Sequence, residues 1–184
     1  MKQHWLKSRS AHFGITAIFG GVLFLSLASH IAVPMVPVPI TMQTFAVTLI
    51  GALYGWRLGA ITILAWLIAG AFGLPVFTGA TFGLKKFIGP TAGYLFAFPL
   101  AAITVGWLVE RGWTDGRFSR CLMAMLLGNA ICLAFGASWL GLTIGAEKAV
   151  MSGIAPFLIG AVLKSLLGAC CLKMLAGKLN VHSS

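Results

Sequence analysis

Between Met42 and Phe72 only Arg57 carries a charge. A helix of about 30 residues rising 1.5 Å each would run about 45 Å, too long for one crossing of a hydrocarbon layer about 30 Å thick. The run therefore has to turn back on itself. Tyr54-Gly55-Trp56-Arg57 is the place, because an aromatic belt and a charge belong at a membrane surface. Two short spans result, 42–55 and 58–72, and the adjoining loops are left to supply part of the structure at membrane depth. Comparable apolar runs recur along 184 residues that are 59% hydrophobic and only 9% charged, which excludes a soluble domain. The chain reads as an all-α polytopic membrane protein, with 1–184 as a single integral domain.

The remaining spans are expected over about 13–33, 89–109, 121–143 and 156–175, which makes about six transmembrane helices in one bundle. The first run reads as a retained span, since a cleavable signal has a shorter apolar core and a small-residue cleavage site. The net charge of +10 is scattered between spans, not gathered on a soluble face, so it speaks for membrane orientation and against nucleic acid. One side holds Lys2, Lys7, Arg9, Arg57, Arg111, Arg117, Arg120, Lys173 and Lys178; the other holds Lys85, Lys86 and Lys148, plus Lys164 within the last span. The excess of lysine and arginine puts both termini in the cytoplasm; the expected location is the cytoplasmic (inner) membrane.

Three breaks then share the outer face. In Val33–Thr41, Pro34, Pro37 and Pro39 forbid a helix. The central break comprises GLPVF (Gly73–Phe77), a loop to Phe87 and GPTAGY (Gly89–Tyr94); the third is Gly145–Gly153. Lys164 lies eight residues after Pro156, about 12 Å down a helix that starts at this face. An ammonium at that depth is costly without a partner or a water-filled cavity, and no acid of this chain reaches it. Two readings remain: a lysine snorkelling upward, or a cavity lysine awaiting an acceptor from a substrate. Thr41, Gln43, Thr44, Thr78, Thr81, Thr91 and Tyr94 gather near the same face, and Trp139 is placed either to stack on a ring or to join the interfacial belt. With Lys85, Lys86 and Lys148 beside them, they point to a site for a small anionic molecule with a polar head. On the first span, Ala17, Gly21, Ala28 and Ala32 form a small-residue stripe, suited to packing within the bundle or to docking a partner helix.

Other chemistries are poorly provided for. Asp and Glu number three in all, none beside a histidine or serine, so a general acid–base pair is hard to build. A GxxxxGK[ST] phosphate loop is absent, as is the intramembrane carboxylate of a proton-coupled pump. Cys121, Cys132, Cys170 and Cys171 sit in apolar runs without metal-ligand spacing and read as small hydrophobes; no metal or cofactor is expected. Asn129, inside the fifth span, is expected to hydrogen-bond a neighbouring helix.

VPVPITMQTF (Val36–Phe45), GLPVF, GPTAGYLFAF (Gly89–Phe98) and PFLIGAVLK (Pro156–Lys164) together resemble the BioY family, the biotin-binding S components of energy-coupling factor (ECF) transporters. The resemblance runs from about Ala17 to Leu175. It implies a six-helix S-component fold that captures biotin at the outer face for uptake. It also implies, as partners, an ECF coupling subunit with ATPase subunits, or a homo-oligomer where no such module exists. The position of Lys164 matches a family lysine implicated in biotin binding. The family's aspartate three residues earlier is replaced here by Ala161, which leaves the ureido N–H groups to find another acceptor, Thr78 and Thr81 being the candidates. The rival readings are an S component for another small vitamin-like anion, a membrane-embedded enzyme, and an assembly subunit without ligand.

Overall fold

The computed structural model describes residues 11–113 and 117–181. The basic segment with Lys2, Lys7 and Arg9, the acid Asp115 and the last residues of the polar tail lie outside them. Helix α1 spans Ala11–His30, α2 Gln43–Ala71, α3 Ala92–Glu110, α4 Phe118–Ile144, α5 Ala146–Ala149 and α6 Ala155–Val181. Among the described residues, five helical stretches are long and apolar enough to cross a membrane. One of them, α2, is bent double. Gly55 has φ 78° and ψ 175°, outside any helical region. A Cβ on Gly59 would lie 3.1 Å from the Cα of Gly51, whereas a straight helix would hold those residues about 12 Å apart. The chain thus crosses six times, with arms 43–54 and 56–71 of about 18 and 24 Å. Both are short of the hydrocarbon thickness, as the sequence requires.

The turn is secured from α3. The Glu110 carboxylate accepts the backbone N–H of Trp56 at 3.2 Å and so caps the second arm where its first amides have no helical partner. Arg57 lies over the Trp56 ring at 4.9 Å and Arg111 over Trp107 at 3.9 Å, which keeps both guanidinium groups on the aromatic belt at this end. Farther along, a Cβ on Gly51 would lie 2.5 Å from the carbonyl oxygen of Ala102, so the first arm and α3 meet backbone to backbone. With α4 on its other side, α3 is the central helix, burying Ala97, Phe98, Ala101, Ala102 and Val105. Close approach through small residues is what holds helices together where lipid supplies no hydrophobic drive.

The loops are ordered. Residues 32–41 close into a hairpin whose strands β1 (Ala32–Val33) and β2 (Ile40–Thr41) pair antiparallel, Ala32 with Thr41 and Val33 with Ile40. The central loop carries a 3-10 turn at Leu84–Phe87. The expected loop Gly145–Gly153 is instead α5 followed by a π turn, Val150–Ile154, leading into α6. At the other end α6 runs on to Val181, past the expected limit near 175, because its backbone ladder does not depend on an apolar surrounding.

The Gly55 conformation is open to glycine almost alone, so Gly55→Ala is expected to destabilise the protein by about 1–3 kcal/mol. Gly14→Ala, in α1 with open space around it, is expected to be neutral or stabilising. Thermal unfolding of both variants in detergent checks the contrast.

Candidate functional site

At the end of the bundle away from Gly55, the proline loop, the central loop, α2, α3, α4 and α6 surround a cavity. It has about 760 Å³ of space, open mouth included, a size suited to a small molecule. Val38, Phe77, Leu95, Phe98, Leu133 and Phe157 make its wall apolar; Thr41, Gln43, Thr44, Thr78, Lys86, Thr91, Tyr94, Asn129 and Lys164 are its polar lining. None of the lining residues is acidic.

Lys164 stands about 13 Å along α6 from Ala155 and is only 8% exposed. Its Nζ reaches Thr44 Oγ1 at 3.4 Å, too long for a strong hydrogen bond. An ammonium has three donors, and the protein engages only one of them here, on the wall of the cavity. Asn129, on α4, also lines the cavity. Its Nδ2 donates to Met125 O and to Ser165 Oγ, both at 3.1 Å, which occupies the amide hydrogens and leaves Oδ1 as an acceptor. Ala161, one turn before Lys164, offers only a methyl group.

The rest of the lining is held by a few fixed contacts. Gln43 Nε2 donates to Ser29 Oγ at 3.0 Å, Thr41 Oγ1 donates to Gln43 Oε1 at 2.9 Å, and Ser29 Oγ donates to Leu25 O at 2.8 Å. All three side chains are buried, so this chain ties α1 to the proline loop and to the start of α2. Tyr94 donates to the carbonyl of Gly153 at 2.9 Å, in the π turn, and its ring stacks on Phe157 with centroids 5.9 Å apart. A π turn displaces carbonyls from their usual partners, which is what makes this one available. Phe77 seats its ring against Gly70 and meets Trp66 edge-on at 4.9 Å. The Trp66 indole N–H is the one buried side-chain donor among the described residues without a hydrogen-bond partner, and it packs in this aromatic group under the site.

Of the residues expected to bind, Lys164, Thr41, Gln43, Thr78 and Tyr94 all line the cavity. Thr81 and Trp139 do not. Thr81 Oγ1 donates back to Thr78 O at 2.9 Å, closing the turn that carries Thr78. Trp139 donates to Gly89 O at 3.0 Å and meets Phe96 edge-on, so it pins the central loop to α4 instead of facing a ligand. Asn129 bonds a neighbouring helix, as expected, but its place on the cavity wall was not legible: an amide in an apolar run does not reveal which way it faces. Of the small-residue stripe on α1, two members take the reading of packing within the bundle. Gly21 is buried against Thr62 and Tyr54 of α2, and Ala28 is in the core. Ala32 lies in β1 beyond the helix, and Ala17 is half-buried. The exposed face of α1 is instead made by Ile15, Phe19, Leu23 and Leu27.

A six-crossing bundle with a mostly apolar cavity that carries a few polar groups and reaches toward its middle defines a membrane-embedded protein built to hold a small molecule. The BioY family model matches residues 1–180, and the chain belongs to that family. It is 34% identical to the "Probable biotin transporter BioY" of Pyrococcus horikoshii over 85% of this chain and 91% of the relative. It is 36% identical to the "Biotin transporter BioY" of Rhizobium etli over 84% of this chain and 87% of the relative. Its fold matches the crystal structure of the S-component for biotin from an ECF-type ABC transporter with a TM-score of 0.79, at 23% identity, over 92% of this chain and 95% of that one.

Gln43→Met would leave the buried Thr41 hydroxyl without its acceptor and take from Ser29 Oγ the amide donor that ties α1 to α2, Ser29 keeping its own bond to Leu25 O. The expected loss is about 1–3 kcal/mol of stability, measured as a lower Tm in detergent. Thr16→Ala, whose exposed hydroxyl bonds only its own helix, should leave Tm nearly unchanged.

Proposed function

We propose that this protein binds biotin in the cavity between the two loops and serves biotin uptake as the substrate-binding membrane component, without catalysing a reaction. The observation that carries the reading is Lys164, a buried cation with unused donors facing a mostly apolar cavity. Biotin has an apolar thioether ring and chain, one carboxylate and a ureido head whose carbonyl accepts and whose N–H groups donate. In this reading Lys164 donates to the ureido oxygen, and Asn129 Oδ1, with the Thr78 hydroxyl, accepts from the N–H groups in place of the acid missing at Ala161. Thr41, Gln43 and Tyr94 shape the wall around it. The names of the relatives support the substrate.

The orientation follows from the charges: the end of α2 with Arg57 and the neighbouring Arg111 and Arg117 face the cytoplasm, and the cavity opens outward. The membrane is the cytoplasmic membrane. An energising module of coupling subunit and ATPase subunits is the partner the family suggests, and self-association is the alternative. Another small vitamin-like anion is the competing substrate, distinguished by competition against labelled biotin.

Lys164→Met keeps the apolar stem and removes charge and donors. A hydrogen bond to a charged group contributes about 1.5–3 kcal/mol, so biotin affinity is expected to fall about ten- to a hundredfold. Stability should be unchanged or improved, because a costly buried charge is gone. Calorimetry beside thermal unfolding tests both; unchanged affinity would make Lys164 a snorkelling residue and overturn the assignment. Sidedness has its own check. A cysteine placed at Lys148 should react with an impermeant maleimide from outside intact cells, and one at Arg57 only after permeabilisation.

A further inference from the structure

The lysines of the loop face differ in where they stand. Lys85 and Lys148 are exposed and stand outside the lining of this cavity; Lys86, half-buried, is on its wall. The turn that carries it is built firmly. Gly83 N–H donates to Gly70 O at 2.8 Å, Lys86 N–H to Gly83 O at 3.3 Å, and Gly89 N–H to Lys85 O at 3.1 Å. The next side chain, Phe87, meets Phe77 edge-on at 5.8 Å and lies 5.9 Å from Phe96, so the turn is anchored to the cavity's own aromatic wall. Lys86 therefore brings a second ammonium to a cavity that already contains Lys164 and has no acidic side chain in its lining.

We propose that Lys86 is a specificity-determining residue that receives the substrate's carboxylate at the cavity mouth and so selects the free acid over its esters and amides. The proposal rests on the biotin reading. Two cations at different depths meet a molecule with one charged and one neutral polar end. A carboxylate is far costlier to strip of water than a urea, so the favourable pose leaves it at the half-open rim and sends the neutral head to Lys164. There the rim ammonium forms a charge-assisted hydrogen bond, stronger than any the neutral threonines offer. With Ala161 apolar and no acidic side chain among the lining residues, the carboxylate is also the charge that offsets the two ammonium groups.

The test compares biotin with biotin methyl ester, which keeps rings and chain but loses the charge, by competition against labelled biotin on the detergent-purified full chain. Wild type is expected to bind biotin about tenfold or more tightly than the ester. Lys86→Gln should bring that ratio to within about twofold by weakening biotin alone, and Lys86→Arg should restore it. Lys85→Gln should leave the ratio as in wild type, whereas Lys164→Met should weaken acid and ester alike. An undiminished ratio in Lys86→Gln, or an equal collapse in Lys85→Gln, overturns the proposal. Failure of wild type to bind biotin at all would instead overturn the substrate reading, and the role of Lys86 with it.

Discussion

The contact between Gly51 and Ala102 is the one on which the bundle depends. There the first arm of α2 and α3 meet with no side chain between them. In water such a contact would be one of many sources of stability. Between lipid tails, which are as apolar as leucine, close packing of small residues is a main source of helix association. It fixes the first arm of α2 against α3, the Glu110 cap fixes the second, and α3 thereby sits among three crossings. The cavity follows from that placement, since Tyr94 projects from α3 toward α6 and the two loops can only close over the gap.

The site combines rigid helices with loops that are tied down. Lys164 and Asn129 stand on α6 and α4, which are themselves joined by the Asn129–Ser165 hydrogen bond. The loop residues have less backbone regularity and more tethers: Gln43 to Ser29, Trp139 to Gly89, and Phe77 into the Trp66 group. A pocket held in this way is largely pre-formed, so little of the binding free energy is lost to ordering. Its electrostatics are lopsided, with two ammonium groups and no carboxylate in the wall. Such a cavity is complementary to an anion. Part of each lysine's desolvation cost is offset only when that anion is present.

Much of the architecture was legible from composition and spacing. An uncharged run too long for one crossing demanded a reversal at the Tyr54–Arg57 belt, and Gly55 supplies it. The prolines of 33–41 forbade a helix, and the chain there is a two-stranded hairpin. Lys164 declared itself because a lysine in an apolar run has few explanations. What stayed open was direction. The small-residue stripe of α1 has one spacing whether it faces a partner or its own bundle, and Gly21 faces inward. Trp139 has one aromatic signature whether it stacks on a ligand or pins a loop, and it pins Gly89.

By itself the sequence determined that this chain lives in a membrane, where it must reverse, and which stretches cannot be helical. These are consequences of length, charge and backbone hydrogen bonding, which are local properties of a chain in a hydrocarbon solvent. Only the tertiary structure decided which polar groups share a cavity. Thr78 and Thr81 are three residues apart, yet a single turn sends one to the wall and bends the other back onto the backbone. Lys85 and Lys86 are neighbours, yet the 3-10 turn exposes one and brings the other to the cavity wall. Apolar helices show almost no periodic difference between the face toward lipid and the face toward protein. The facing of each side chain is therefore settled by close packing between helices distant in sequence, which no local pattern encodes.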